Sequence, residues 1–187
     1  VDRTDVFLIG GGLANTFLFA KGHDVGQSLV EKDKADVARK ILDTIRHRGK
    51  KILLPRDVIV SDSVDARAET ANIPLRFLHP KLKILDIGWK TTEEYAGVIR
   101  KSRTMVWNGP MGIYEFEPFA QGTRRVAEEA ARSNATTILG GGDTVDALQK
   151  FGINFQRYTH VSTGGGAMLE FLEFGSLPGV DILQDMP

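Results

Sequence analysis

The chain has no cysteine in its 187 residues. Disulfides and thiolate metal sites are therefore excluded, and a reducing compartment is compatible with the composition. It has no net charge, because 24 Lys and Arg stand against 24 Asp and Glu. That balance gives no support to a nucleic-acid groove or an anionic membrane surface as partner. No apolar run approaches the roughly 20 residues of a membrane span. No GxxxxGKS or GxxxxGKT stretch occurs, which argues against a phosphate-loop nucleotide hydrolase. There are four His, and no His/carboxylate spacing suggests a zinc site. The first residues, Val1-Asp2-Arg3-Thr4-Asp5, have neither a Met nor the organisation of a signal peptide. They lead directly into a strand pattern, so the chain reads as a fragment or a processed product.

What is present is glycine, 20 residues clustered at junctions. Four apolar strand-like runs end in glycine-rich turns: Leu8-Ile9-Gly10-Gly11-Gly12, Met105-Val106-Trp107-Asn108-Gly109-Pro110-Met111-Gly112, Ile138-Leu139-Gly140-Gly141-Gly142, and Val161-Ser162-Thr163-Gly164-Gly165-Gly166. A helix pattern follows each of them. The spacing predicts strands over 6–9, 51–54, 57–61, 84–88, 105–107, 136–139 and 159–162. Helices are predicted over 13–20, 32–48, 91–102, 118–133, 143–151 and 167–174. In the 91–102 helix, Thr91 and Glu94 have the spacing of a capping box. Pro118 suits the first turn of the next helix, with Phe119, Val126, Ala127 and Ala130 buried and Arg124, Arg125, Glu128, Glu129 and Arg132 outside. Residues 62–82, with Pro74 and Pro80, read as an irregular excursion with a small antiparallel piece, and Leu177-Pro178-Gly179 cannot continue a helix. The alternation predicts an α/β fold: one three-layer α/β/α, Rossmann-like, doubly wound, mostly parallel sheet in a single domain over 1–187. In such sheets ligands sit at the carboxyl ends of the strands.

Each turn carries a chemical reading and a plainer one. Gly10-Gly11-Gly12 can let a phosphate or a flat base approach the backbone, or can simply make a tight turn. It is not the dinucleotide fingerprint, because Asn15 stands at the third glycine and no acidic residue ends the 51–54 strand. This disfavours an NAD dehydrogenase. At Gly140-Gly141-Gly142-Asp143-Thr144, the amides and helix dipole favour phosphate, Asp143 suits a phosphate-bound Mg²⁺, and Thr144 can donate to a phosphate oxygen. Alternatively, Asp143 is only the helix N-cap. The Gly164, Gly165 and Gly166 amides can hold a phosphoryl group in transit, or merely start a helix. His160 beside them invites an acid–base role, but phosphoryl transfer from an anhydride needs no proton abstraction. In the second turn Asn108 and Pro110 can line a base and ribose, and Glu115 can accept from ribose hydroxyls or be a solvated flanking acid.

The run Val106-Trp107-Asn108-Gly109-Pro110-Met111-Gly112-Ile113-Tyr114-Glu115 resembles the nucleotide-loop signature of phosphoglycerate kinases. The likeness continues in order through Leu8 to Leu18, Leu53-Leu54-Pro55-Arg56-Asp57, Leu85-Asp86-Ile87-Gly88, Phe119 to Thr123, Gly140 to Thr144, Ser162 to Ala167 and Leu177-Pro178-Gly179-Val180. The resemblance implies the nucleotide-binding, C-terminal domain of a two-domain glycolytic kinase, without its N-terminal domain and without the first strand and helix of this one. It implies transfer of the acyl phosphate of 1,3-bisphosphoglycerate to Mg-ADP, giving 3-phosphoglycerate and ATP, in a monomeric cytoplasmic parent. By position, Gly11 and Gly12 flank the adenine, and Asn108 and Pro110 support base and α-phosphate. Glu115 binds ribose, Gly141, Gly142 and Thr144 meet phosphates, and Asp143 holds Mg²⁺. Gly164, Gly165 and Gly166 face the transferring phosphoryl group. For the chain alone the expectation is a nucleotide-binding module without catalysis. There are departures: Ile84 stands where many relatives carry a glycine beside the base, Trp89 replaces a proline, Arg56 a valine, and Val145-Asp146 smaller residues.

Overall fold

The structure is a computed structural model and describes residues 3–183. In chain order its elements begin β1 (Val6–Leu8), α1 (Gly11–Ala20), α2 (Ala35–His47), β2 (Lys51–Leu53), β3 (Asp57–Ser61), β4 (Ala71–Pro74) and β5 (Lys83–Ile87). They continue with α3 (Trp89–Ile99), β6 (Thr104–Asn108), α4 (Gln121–Arg132), β7 (Thr136–Gly140), α5 (Gly142–Lys150), β8 (His160–Ser162), α6 (Gly165–Phe174) and α7 (Pro178–Asp181). The class is α/β, as the alternation predicts.

The pairing is more divided than one sheet. β1 and β2 pair in parallel, and β6, β7 and β8 form a parallel trio. β3 sits between β4 and β5 and is antiparallel to both. The reason lies in the connection. A parallel return needs a crossover, usually a helix, and residues 62–82 contain a strand and a short 3₁₀ turn instead.

Apolar side chains from several elements join these sheets. Tyr95 and Ile99 of α3, Val126, Ala127 and Ala130 of α4 and Leu148 of α5 pack with Trp107 of β6 and Leu139 of β7. Each large side chain fully buried in this way stabilises the fold by about 1.5–3 kcal/mol. The Tyr95 hydroxyl also lies 2.7 Å from the Ile9 carbonyl and 2.9 Å from that of Leu53, tying α3 to the ends of β1 and β2. Phe17 and Ala20 of α1 meet Ala35 and Ala38 of α2 in a second cluster.

Several local expectations change. Leu13, Val37 and Ile41, apolar residues of the first two predicted helices, are exposed. Glu129, expected outside, is buried, where its carboxylate meets Arg100 at 2.9 Å and Arg125 at 2.9 Å. Pro118 opens a 3₁₀ turn, Glu117–Phe119, and α4 begins only at Gln121. Gly175 ends α6 in the left-handed region, and residues 178–181 form a separate short turn of helix.

The capping box is not formed. Thr91 lies inside the first turn of α3, fully buried. Its hydroxyl donates to Asp57 Oδ1 at 2.7 Å. Asp57, from β3, also accepts from the Lys90 amide at 3.0 Å and the Thr91 amide at 2.8 Å. Asn72, from β4, accepts from the Trp89 amide at 3.0 Å and donates to Asp57 at 3.1 Å. The free N–H groups of α3 are thus satisfied from across the antiparallel sheet. Burial pushes the Asp57 carboxyl up, but the Thr91 hydroxyl, the two amides and Asn72 outweigh it and hold it below its ordinary value.

Candidate nucleotide site

The register of the parallel trio aligns its carboxyl ends. Asn108 stands opposite Gly140, and Gly140 opposite Ser162, so three glycine-rich turns leave the sheet at one rim. The turns then touch. A side chain at Gly165 would meet the Gly141 Cα at 2.7 Å and Asn108 Oδ1 at 2.8 Å, so only glycine allows this approach. Gly141 also has φ +99°, which a side chain rarely adopts. Its amide donates to the Ser162 carbonyl at 3.2 Å. The fourth turn joins from β1: the Gly11 amide donates to the Met111 carbonyl at 2.9 Å.

Beside this rim lies a cleft of about 480 Å³. Gly11, Gly12, Pro110 and Asp143 line it. Its other walls are mainly apolar and include Leu29, Pro55, Val64, Ile84 and Ile113. Asn108, Gly141 and Gly165 belong to the adjoining glycine cluster rather than to the cleft. Gly142 and Gly166 face open space. Gly164 is exposed, and its amide donates to Ser162 Oγ at 3.2 Å. Glu115 is exposed and outside the cleft lining, with its backbone carbonyl accepting from the Lys150 ammonium.

Asp143 is not the N-cap of α5. Gly141 holds that position, and Asp143 lies exposed in the first turn. The purely capping account of this residue therefore fails. Thr144 is fully buried, and its hydroxyl accepts from the Gly109 amide at 2.8 Å. It fastens the Asn108–Gly112 turn from beneath.

Three side chains support this turn and its surroundings in ways that sequence reasoning does not assign to them. Thr123 of α4 is buried, and its hydroxyl accepts from the Met111 amide at 3.0 Å and the Gly112 amide at 3.3 Å. Asp86 of β5 is buried and lines the cleft, accepting from the Gly122 amide at 2.7 Å and the Ile87 amide at 2.8 Å. Burial pushes its carboxyl up to about 8 against the pull of those two amides. A carboxylic acid inside the apolar run Ile84-Leu85-Asp86-Ile87 is the signal that could have marked it. The third is Asp146, which accepts from the Tyr114 hydroxyl at 2.9 Å. That gives the Asp146 departure a use in pinning the loop to α5. Arg56 reaches Glu94 at only 3.7 Å on the surface, a pair of small value. The Trp89 ring is 69% exposed.

A family model described as Phosphoglycerate kinase matches residues 1–174. The chain belongs to the phosphoglycerate kinase family. It is 50% identical over 186 residues to a Chloroflexus aurantiacus protein named phosphoglycerate kinase, covering 98% of this chain and 46% of that one. A Clostridium novyi protein of the same name is 47% identical over 190 residues, with 99% and 46% covered. The solved phosphoglycerate kinase of Coxiella burnetii superposes with a TM-score of 0.92 at 41% identity, covering 97% of this chain and 47% of that one. That of Pyrococcus horikoshii gives 0.80 at 37%, covering 96% and 45%. The chain spans about half the length of the curated relatives it matches.

The Asn108–Gly112 turn and the three glycine turns thus form one surface. The helix starts that meet there each carry partial positive charge. No side chain among the described residues accepts from the first-turn amides of α1, α5 or α6. Apart from the Gly11 amide, which the Met111 carbonyl takes, those amides remain available for an anion.

Proposed function

We propose that this chain is the nucleotide side of a phosphotransferase that moves the acyl phosphate of 1,3-bisphosphoglycerate to Mg-ADP, giving 3-phosphoglycerate and ATP. The observation that carries the reading is the convergence of three uncapped helix starts and the Asn108–Gly112 turn beside an apolar cleft. An apolar slot suits a base, and free helix amides suit phosphates. Family membership supports the same chemistry.

In this reading the base enters between Gly11, Gly12 and Pro110, with Asn108 supporting the α-phosphate. Glu115 turns in from the surface to take ribose hydroxyls. Gly141 and Gly142 present backbone to the phosphates. Thr144 offers its amide while its hydroxyl holds Gly109. The amides of Gly164, Gly165 and Gly166 face the phosphoryl group in transit. Among the described residues no group of three or more His, Asp or Glu could hold a metal. That donor set fits an ion carried by phosphates with one protein carboxylate, Asp143, which is how Mg²⁺ binds at nucleotide sites. Bound there, Mg²⁺ neutralises phosphate charge. The transfer itself needs positioning and charge neutralisation rather than a side-chain base.

For the 187-residue chain alone we infer binding without turnover, because it spans 46% of the relatives. The remaining length then supplies the phosphoglycerate site, and a monomeric, cytoplasmic full-length protein accompanies this reading. Calorimetry should record Mg-dependent ADP binding to the chain. A flat titration at millimolar ADP sinks the nucleotide reading. A coupled assay with 1,3-bisphosphoglycerate should stay at background, and kinase-level turnover would overturn the module reading.

A further inference from the structure

The two residues at the end of the Asn108–Gly112 turn's loop, Tyr114 and Glu115, are held by α5. Tyr114 is buried, and its ring joins Ala120, Ala147 and Phe151 in one apolar cluster. Its hydroxyl donates to Asp146 Oδ2 at 2.9 Å. Burial and the Asp146 carboxylate push that hydroxyl well above its ordinary value, so it stays a donor at neutral pH. The Glu115 carbonyl accepts from the Lys150 ammonium. Asp146 and Lys150 stand four residues apart on α5, so they share one face of the helix. The Glu115 carboxylate itself is exposed, with no hydrogen bond or ion pair among the described residues. Its reach is therefore set by where its own backbone is held. The same helix carries Asp143 in its first turn and holds the Gly109 amide through the Thr144 hydroxyl at 2.8 Å. One helix thus fastens the loop at 109, 114 and 115.

We propose that Asp146 and Lys150 are positioning residues for ribose recognition: together they fix Tyr114 and Glu115 on α5, and so set the Glu115 carboxylate at a constant distance from the phosphates at the start of that helix. The inference rests on the nucleotide reading above and adds to it two side chains that touch no ligand. A carboxylate on an unheld loop has to be ordered at the moment of binding, whereas one on a backbone already fixed avoids most of that entropy cost. Selection for the ribose hydroxyls should then depend on the clamp. Binding of the base and phosphates, carried by the glycine turns, should not.

The test is a paired titration with Mg-ADP and with the Mg complex of 2′,3′-dideoxyadenosine 5′-diphosphate, which lacks both ribose hydroxyls. The unaltered chain should bind ADP at least about tenfold more tightly, the worth of a hydrogen bond to a charged group. In Asp146→Ala and in Lys150→Ala that ratio should fall below about threefold, with the dideoxy affinity unchanged within about twofold. Asp146→Asn keeps an acceptor for the Tyr114 hydroxyl and should keep the ratio. Alanine variants that retain the ratio overturn the proposal. So do alanine variants that weaken both nucleotides in parallel, since that is the mark of a structural role. A ratio near one in the unaltered chain also overturns it, and this measurement needs no variant to fold. If the unaltered chain binds neither nucleotide, the nucleotide reading itself has failed and this inference with it.

Discussion

The helix starts of this chain fall into two kinds. At α3, three successive amides are taken by Asp57 and Asn72 from neighbouring strands. At α4, Asp86 accepts from the Gly122 amide in the first turn. Both plugs are buried carboxyl groups, and both ends face the antiparallel sheet. At α1, α5 and α6 the N-cap is glycine and no side chain accepts from the first turn among the described residues. Four unpaired amides are the default at any helix start. Closing them with a side-chain acceptor is stabilising, so leaving three helix starts without one forgoes stability that α3 and α4 obtain. The difference separates helix ends that hold the fold together from helix ends that can receive an anion. Family membership alone would not draw that line.

The strongest way to break the comparison is to unplug α3. Asp57→Ala removes the acceptor of two amides and of the Thr91 hydroxyl, and the two bonds from Thr91 are fully buried. Hydrogen bonds to a charged group are worth about 1.5–3 kcal/mol each, so urea denaturation should record a loss of at least 3 kcal/mol. A loss below 1 kcal/mol would mean that the plug is incidental. The bond pattern also sets a pH dependence. The Asp57 pKa is depressed in the folded state, so its stabilisation is present above its unfolded pKa and is lost as pH falls through the folded one.

Asp86 should behave in the opposite sense. Its folded pKa, about 8, lies above the ordinary 3.8. Between those values the folded chain holds a proton that the unfolded chain has released, so stability declines as pH rises through that window. Asp86→Asn should flatten this decline, seen as a shallower fall in melting temperature from pH 5 to pH 8. An unchanged slope would place the titration elsewhere.

Much of this architecture is legible in the sequence. The order of strands and helices follows from apolar runs and glycine stops, and all four glycine turns lie where the breaks place them. The plugs are not legible, because they act across the fold. Asp57 and Thr91 are 34 positions apart. A local rule therefore sees Thr91 and Glu94 and infers a capping box, whereas tertiary structure supplies a stronger acceptor. The same limit hides Glu129, which the helical period assigns to solvent and which Arg100 and Arg125 compensate inside. At the site, the glycines and Asp143 are legible because turn chemistry is local. Thr123 is not, since its importance lies in the turn amides that it holds.

The open ends can be tested by closing one. A side chain at Gly142 would meet nothing within 4 Å. Gly142→Asp places a carboxylate in the first turn of α5, where the helix dipole favours it by about 0.3–1 kcal/mol. The variant should melt slightly higher yet bind Mg-ADP at least tenfold more weakly, because the new charge occupies the place of a phosphate. A stabilised variant with unchanged affinity would show that this end is not where phosphate binds.

The smallest stability effect is expected at Asp143 itself. The residue is exposed and is not a cap, so Asp143→Ala should cost no more than about 0.3–1 kcal/mol, the gain of a first-turn carboxylate from the helix dipole. Its effect on ligand binding should be of another order. If its carboxylate helps to hold Mg²⁺ on the phosphates, the variant should lose the gain in ADP affinity that Mg²⁺ confers on the unaltered chain. Titrations with and without the ion separate these outcomes. An affinity that still rises with Mg²⁺ to the same degree would remove Asp143 from the metal, and α5 would then remain an open helix end without a cation.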